Sequence, residues 1–324
     1  AGVFTGALIF FYKWGAEFIA ELSGSIYAFV YSQPVFIPVM LIGLVGLALI
    51  MAFFIKGAPA VSGGGIPTAE GILRGLITFK WLRTFLSMIV NSYIAFFTGL
   101  PLGNEGPSVL IGTALGRGTN NLFNRTPAWD RYVMTGGAAA GFAVATGAPA
   151  TGIIFALEEV HKRFSPMILM VALSSVVFAS LTAEALSIIF GRTTAMFSLT
   201  AFPSVPVNLC WMAIVSGVGA GIIALLFIKG FTLMYKLLSE KIKAVSIEVK
   251  LIFLFVLIGL VGLLLPSAVG SGHSVIDGIM IREYLWYIIL TLLAVKIILI
   301  ILCGGAGATG GLFIPILTIG ALTG

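Results

Sequence analysis

The chain reads as an all-α polytopic membrane protein, on three grounds. Charged residues make up 9% of its 324 positions and apolar ones 59%, with a mean hydropathy of +1.14. Several runs reach or approach the roughly 20 apolar residues that a transmembrane helix needs. Those runs are continuous rather than alternating, which sets aside a transmembrane β-barrel. No composition break divides the chain, so residues 1–324 are expected to form one membrane domain embedded in the lipid bilayer. The net charge of +6 is spread over short loops with no basic cluster interleaved with aromatics, which argues against a nucleic-acid partner.

In chain order, the expected spans are 35–55, 85–102, 168–190, 207–228, 251–265 and 286–302. The loops between them set the orientation. Arg117, Arg125 and Arg131 fall in one polar stretch, Lys162 and Arg163 in a second, and Lys236, Lys241, Lys243 and Lys250 in a third. The stretches 23–38 and 191–206 carry one basic residue between them, Arg192. The positive-inside rule puts the first three in the cytoplasm and the other two outside. Two short helices between Arg131 and Lys162 then form a hairpin that returns to the side it left. A multi-pass membrane location is expected. Cys210 and Cys303 sit in apolar runs and read as small core residues, while His161, in a basic loop, reads as a solvated residue. The chain opens in apolar sequence without a basic leader, so it is expected to begin inside a longer protein.

An internal repeat organises the chain. Leu41-Ile42-Gly43-Leu44-Val45-Gly46-Leu47 recurs letter for letter from Leu257 to Leu263. Gly63-x-Gly65 with Glu70-Gly71-Ile72 returns as Gly270-x-Gly272 with Asp277-Gly278-Ile279. Gly103-x-x-x-Pro107 with Ile111-Gly112 returns as Gly311-x-x-x-Pro315 with Ile319-Gly320, 208 positions on. Gly/Pro-interrupted apolar segments at corresponding places in two halves point to a transporter's binding site. Repeat one is expected over about 1–190 and repeat two over about 207–324. The second lacks the counterpart of the last ~70 residues of the first, if both are complete units.

Four punctuations precede short helices: Gly63-Gly64-Gly65-Ile66-Pro67, Gly103-Asn104-Glu105-Gly106-Pro107, Gly147-Ala148-Pro149 and Gly311-Leu312-Phe313-Ile314-Pro315. Glycines let the backbone turn closely, and proline starts a helix where its missing N–H is not needed. Broken helices with converging N-terminal ends would hold an anion by partial charges of about +0.5 each. No full positive charge, which would bind too tightly for conduction, is then required. Within this pattern Glu105 is an ionisable carboxylate placed in apolar sequence, at about 2.5–3.5 kcal/mol on insertion scales, which marks it as functional. Ionised, it can compete with an anion at the helix end; protonated, it should let go.

These four signatures resemble those of the CLC family of chloride channels and chloride/proton antiporters, whose patterns are G-S-G-I-P, G-R-E-G-P, a short helix ending in E-E, and G-x-F-x-P. The match runs in the right order along the whole chain. It implies an inverted-repeat bundle of broken and half-spanning helices, assembled as a homodimer with one anion pathway per subunit. It implies chloride, or another small anion, and protons as the transported species. The anion would be held by backbone amides of Leu312 and Phe313 and of the Gly64, Gly65 and Ile66 loop, with Gly106 at the head of the Glu105 helix. Glu105 would be the gate, and Glu159, the second acid of Leu157-Glu158-Glu159, the internal proton-transfer site. No enzyme, metal or cofactor is implied.

Glu159 ends a helix from Pro149 that spans only about 16 Å, half the hydrocarbon core. A carboxylate at a helix C-terminus opposes the dipole; a proton station and a simple charge cluster with His161, Lys162 and Arg163 both account for it. Two residues depart from the family pattern. Gly64 stands in place of Ser and offers no hydroxyl to the anion, and Asn104 replaces the Arg beside the gate. The rival reading within the family is a passive anion channel, which typically lacks an acid at the position of Glu159. An intramembrane enzyme would need a Ser/His pair, paired Asp residues or H-E-x-x-H, and the two histidines, His161 and His273, stand alone.

Overall fold

Thirteen α-helices account for most of the computed structural model, which describes residues 1–123, 126–197, 207–238, 245–281 and 285–324. They are α1 (Gly2–Ser32), α2 (Ile37–Gly57), α3 (Ile66–Leu73), α4 (Trp81–Phe97), α5 (Glu105–Leu122), α6 (Asp130–Thr146), α7 (Pro149–Phe155), α8 (Pro166–Phe190), α9 (Cys210–Lys236), α10 (Ile247–Leu264), α11 (His273–Ile281), α12 (Trp286–Ala306) and α13 (Phe313–Thr323). Six are long and apolar enough to cross a membrane: α1, α2, α8, α9, α10 and α12. The expected loop residues Arg125, Lys241 and Lys243, and most of 191–206, lie outside the described residues.

Two spans differ from the sequence expectation. The run 85–102 is not one span, because α4 ends at Phe97 and Gly99 turns the chain with φ 74°. The Leu100 N–H closes this end on the Ala95 carbonyl at 3.0 Å. Conversely, 2–32 forms the longest helix, although Lys13, Glu17 and Glu21 interrupt its apolar run. At 1.5 Å per residue it reaches about 46 Å, beyond the hydrocarbon core. The expected outer loop therefore shrinks, because residues 23–32 are helical.

Small residues let the helices touch backbone to backbone, as association inside a bilayer favours. A Cβ on Gly137 of α6 would meet the carbonyl of Gly112 on α5, and one on Gly116 would stand 2.7 Å from the Met134 Cα. Gly6 of α1 packs in the same way on Ala179 of α8.

The repeat is visible in hydrogen bonds. Gly103 and Gly311, 208 positions apart, exchange N–H···O bonds of 2.7 and 2.8 Å as an antiparallel bridge. The α4 end recurs at α12, where Gly307 has φ 75° and the Ala308 N–H meets the Cys303 carbonyl at 3.1 Å. Helices α2 and α10, which carry the letter-for-letter repeat, pack together and are tied at one end by the Lys56–Glu248 ion pair. The result is an inverted-repeat bundle of whole and half-spanning helices. Cys303 is a free, buried core residue, as expected.

Candidate functional site

Three helix N-termini meet where the two repeats join. The loop before α3 approaches the head of α5 so closely that a Cβ on Gly106 would overlap the Gly64 carbonyl and stand 2.9 Å from the Gly311 Cα. A Cβ on Gly65, at φ 77°, would in turn strike the Gly106 carbonyl. Only glycine permits either approach. The α13 loop closes the third side: the Gly310 N–H donates to the Gly63 carbonyl at 3.2 Å, and the Ser62 hydroxyl to the Gly307 carbonyl at 3.0 Å. Thr309 donates to the Val61 carbonyl at 2.8 Å and accepts from the Asn91 amide at 3.4 Å.

Glu105 stands inside this junction. It is fully buried, and among the described residues neither carboxylate oxygen makes a hydrogen bond of full geometry. The carboxylate faces its own backbone N–H and that of Ile314 on α13, with one oxygen against Gly103. An unpaired buried carboxylate is among the most unfavourable groups a protein can hold, and this one sits where helix dipoles offset part of the penalty. The Lys13 ammonium of α1, donated to the Thr194 carbonyl at 3.0 Å, lies within electrostatic reach of it.

The backbone N–H groups of Leu312, Phe313 and Ile314 have no backbone acceptor among the described residues, and neither do those of Gly64, Gly65 and Gly106. The Ile66 N–H differs, because it already bonds the Gly64 carbonyl at 3.0 Å. Of the three loop amides named from the sequence, Gly64 and Gly65 are the open ones. A Cβ at Gly64 would touch nothing closer than 3.7 Å, so the missing hydroxyl there reflects chemistry and not space.

The Gly147-Ala148-Pro149 punctuation does not join the site. Gly147 ends α6 with φ 66° and bonds the Ala143 carbonyl, and Pro149 at the head of α7 is exposed. Its glycine serves a helix C-cap, a role that the same letters describe equally well.

Glu159 lies apart from Glu105, exposed in a π-turn (Ala156–Val160) that continues α7. Three rings connect the regions. Phe313 packs edge-on against Phe142 at 5.5 Å, and Phe142 stacks at 4.5 Å on Phe155, the last residue of α7. His161 is not solvated as its loop suggested. It is 9% exposed, with Nε2 2.9 Å from the Thr135 hydroxyl and Nδ1 3.5 Å from the Arg131 guanidinium. Sequence reasoning passed over Lys13, although a lone cation in an apolar helix carries the same signal that singled out Glu105.

Comparison with known proteins accords with this geometry. The family model described as "Voltage gated chloride channel" matches residues 43–324. The H(+)/Cl(-) exchange transporter ClcA of Klebsiella pneumoniae is 31% identical over 301 residues, 89% of this chain and 61% of that protein. Its namesake in Citrobacter koseri is 30% identical over 300 residues, 89% of this chain and 60% of that one. The chain thus spans about three fifths of the length of the curated relatives it matches. Among solved structures, a slow cyanobacterial Cl-/H+ antiporter superposes with a TM-score of 0.87 at 26% identity, covering 98% of this chain and 75% of that one. A CLC-type fluoride/proton antiporter shares the fold at a TM-score of 0.77 and 22% identity, over 98% of this chain and 76% of that one. With its apolar helices and bacterial relatives, this is a multi-pass integral protein of the bacterial inner membrane.

Proposed function

The chain belongs to the voltage-gated chloride channel family, and from that premise we propose that it exchanges chloride for protons rather than conducting chloride passively. One observation carries the reading: the buried, unpaired carboxylate of Glu105 at the meeting point of three helix N-termini. Open N–H groups there suit a small anion, and a carboxylate is such an anion on a tether. Ionised, Glu105 occupies the place that chloride would take. Protonated, it loses its affinity for the N–H groups and yields the place. Anion and proton then compete through one residue, and each shifts the other's occupancy by its differential affinity.

In this reading Gly64, Gly65, Gly106, Leu312 and Phe313 hold the anion, with Ile66 shaping the loop. Glu159 is the inner proton station, supported by its place at the far end of the Phe313–Phe142–Phe155 contact. The working unit is a homodimer in the bilayer with one pathway per subunit. Repeat one covers about 1–190 and repeat two about 207–324. Its place in the family and the exchange activity printed for its relatives favour a transporter over an intramembrane enzyme.

The test is simultaneous recording of chloride and proton movement in vesicles containing the purified full-length protein. A chloride gradient alone should drive protons uphill. Chloride movement without any accompanying proton movement would assign a passive channel instead.

A further inference from the structure

Lys162 is the one non-glycine residue among those described with a positive φ, 51°. An L-residue is uncommon in the left-handed region, and a helix end is where it is most often found. Lys162 lies one residue past the His161 C-cap of the π-turn that carries Glu158 and Glu159, so its side chain is set by the way this helix ends.

Both ends of this turn are fastened. The His161 N–H reaches the Ala156 carbonyl at 3.3 Å and the Arg163 N–H the Leu157 carbonyl at 3.2 Å, closing the backbone on itself. The His161 ring is fixed to α6 by Thr135 and Arg131. Lys162 reaches a different element: its ammonium lies 3.4 Å from a carboxylate oxygen of Glu70 on α3, which Arg74 also contacts at 2.7 Å. Helix α3 has eight residues, and its first follows Gly65 directly. Glu70 is therefore about 7.5 Å along a rigid helix from the loop that faces Gly106. No other described ion pair joins the Glu159 turn to the elements of the anion site.

We propose that Glu70 and Lys162 are positioning residues that lock the turn carrying Glu159 to the helix carrying the anion loop, so that the two stations move together. The ion pair ties α3 to the turn, and without it the two are free to move independently. An ion pair with one exposed and one half-buried partner adds little to overall stability. Its loss should leave the fold intact and be felt in coupling. The lock itself stands on the geometry alone; its link to proton transport rests on the exchange reading above.

Two measurements on the full-length protein separate these parts. Amide hydrogen exchange is followed over residues 66–73 in wild type, Lys162→Met, Glu70→Gln and Lys162→Arg. The first two variants should exchange about threefold faster or more in α3 alone, with α5 unchanged, and Lys162→Arg should stay near wild type. In vesicles, the same two variants should move about half as many protons per chloride or fewer, while chloride flux stays within about twofold. Unchanged exchange in α3 overturns the lock. Faster exchange with an unchanged proton-to-chloride ratio overturns the coupling role, as does a proportional loss of both fluxes. Absence of proton movement in wild type would refute the exchange reading, and the exchange rates would then decide the lock alone.

Discussion

His161 shows how a buried residue can be held neutral by the cations around it. The Thr135 hydroxyl donates to the Arg131 carbonyl at 2.7 Å, so its oxygen is left to accept from His161 Nε2–H. That leaves the Nδ1 lone pair toward the Arg131 guanidinium. Burial first, and then the charges of Arg131, Arg163 and Arg74, push its pKa down from 6.5 to about 4. The unfolded chain takes up a proton near pH 6.5 and the folded one does not. His161 therefore withdraws no stability above pH 6.5 and withdraws it progressively as pH falls toward 4. Thermal unfolding checks this: the fall in Tm on acidification through that window should be shallower in His161→Asn than in wild type. Equal slopes would mean that the ring is not the titrating group. Its loop position alone gave no hint of this burial, because the partners Thr135 and Arg131 come from another helix. Glu105 was legible from one residue and its neighbours, since a carboxylate between glycines before a proline needs no tertiary information to stand out.

At the scale of elements, backbone contact decides which glycines matter. Gly137 and Gly112 interlock α6 with α5, whereas Gly221 on α9 has open space where a Cβ would go. Gly137→Ala should therefore destabilise by about 1–3 kcal/mol through overpacking. Gly221→Ala should be neutral or stabilise by up to about 1 kcal/mol through helix propensity. Thermal melts should fall for Gly137→Ala and hold or rise for Gly221→Ala; a loss at both sites would show that α9 is packed where it stands open here. Helices α2, α8, α10 and α12 could be read from hydropathy because their runs stay apolar over most of a span, with only Glu184 in α8 and Lys296 in α12 intervening. Helix α1 could not, since Lys13, Glu17 and Glu21 break its apolar run. The end of α4 escaped notice for the opposite reason: residues 98–102 are apolar enough to continue a span, and only the turn at Gly99 ends it. Helix α7 shares its Gly-x-Pro letters with α3, yet its glycine caps α6. A cap glycine and a close-approach glycine are the same residue until a neighbour is known.

The whole molecule follows from its repeat. Gly103 and Gly311, matched by sequence offset, are bonded to each other, so the two halves meet at corresponding residues and the helix ends they carry face one site from opposite sides. The offset of 208 was readable from the chain; that the corresponding residues would pair with each other was not, because sequence similarity says nothing of the axis relating the halves. The open amides of α13 and the buried Glu105 carboxylate of α5 belong to different repeats, and neither half could assemble the junction alone. The division of labour between Glu105 and Glu159 is the central claim, and glutamine, which cannot titrate, tests it at each position. Chloride and proton fluxes should be recorded together across a range of external pH in vesicles containing wild type, Glu105→Gln or Glu159→Gln. Glu105→Gln should keep chloride flux, lose its dependence on external pH and move no protons. Glu159→Gln should lose proton coupling while keeping that dependence. Equal loss of chloride flux in both variants, with the protein folded, would contradict the account and leave the two acids as structural charges.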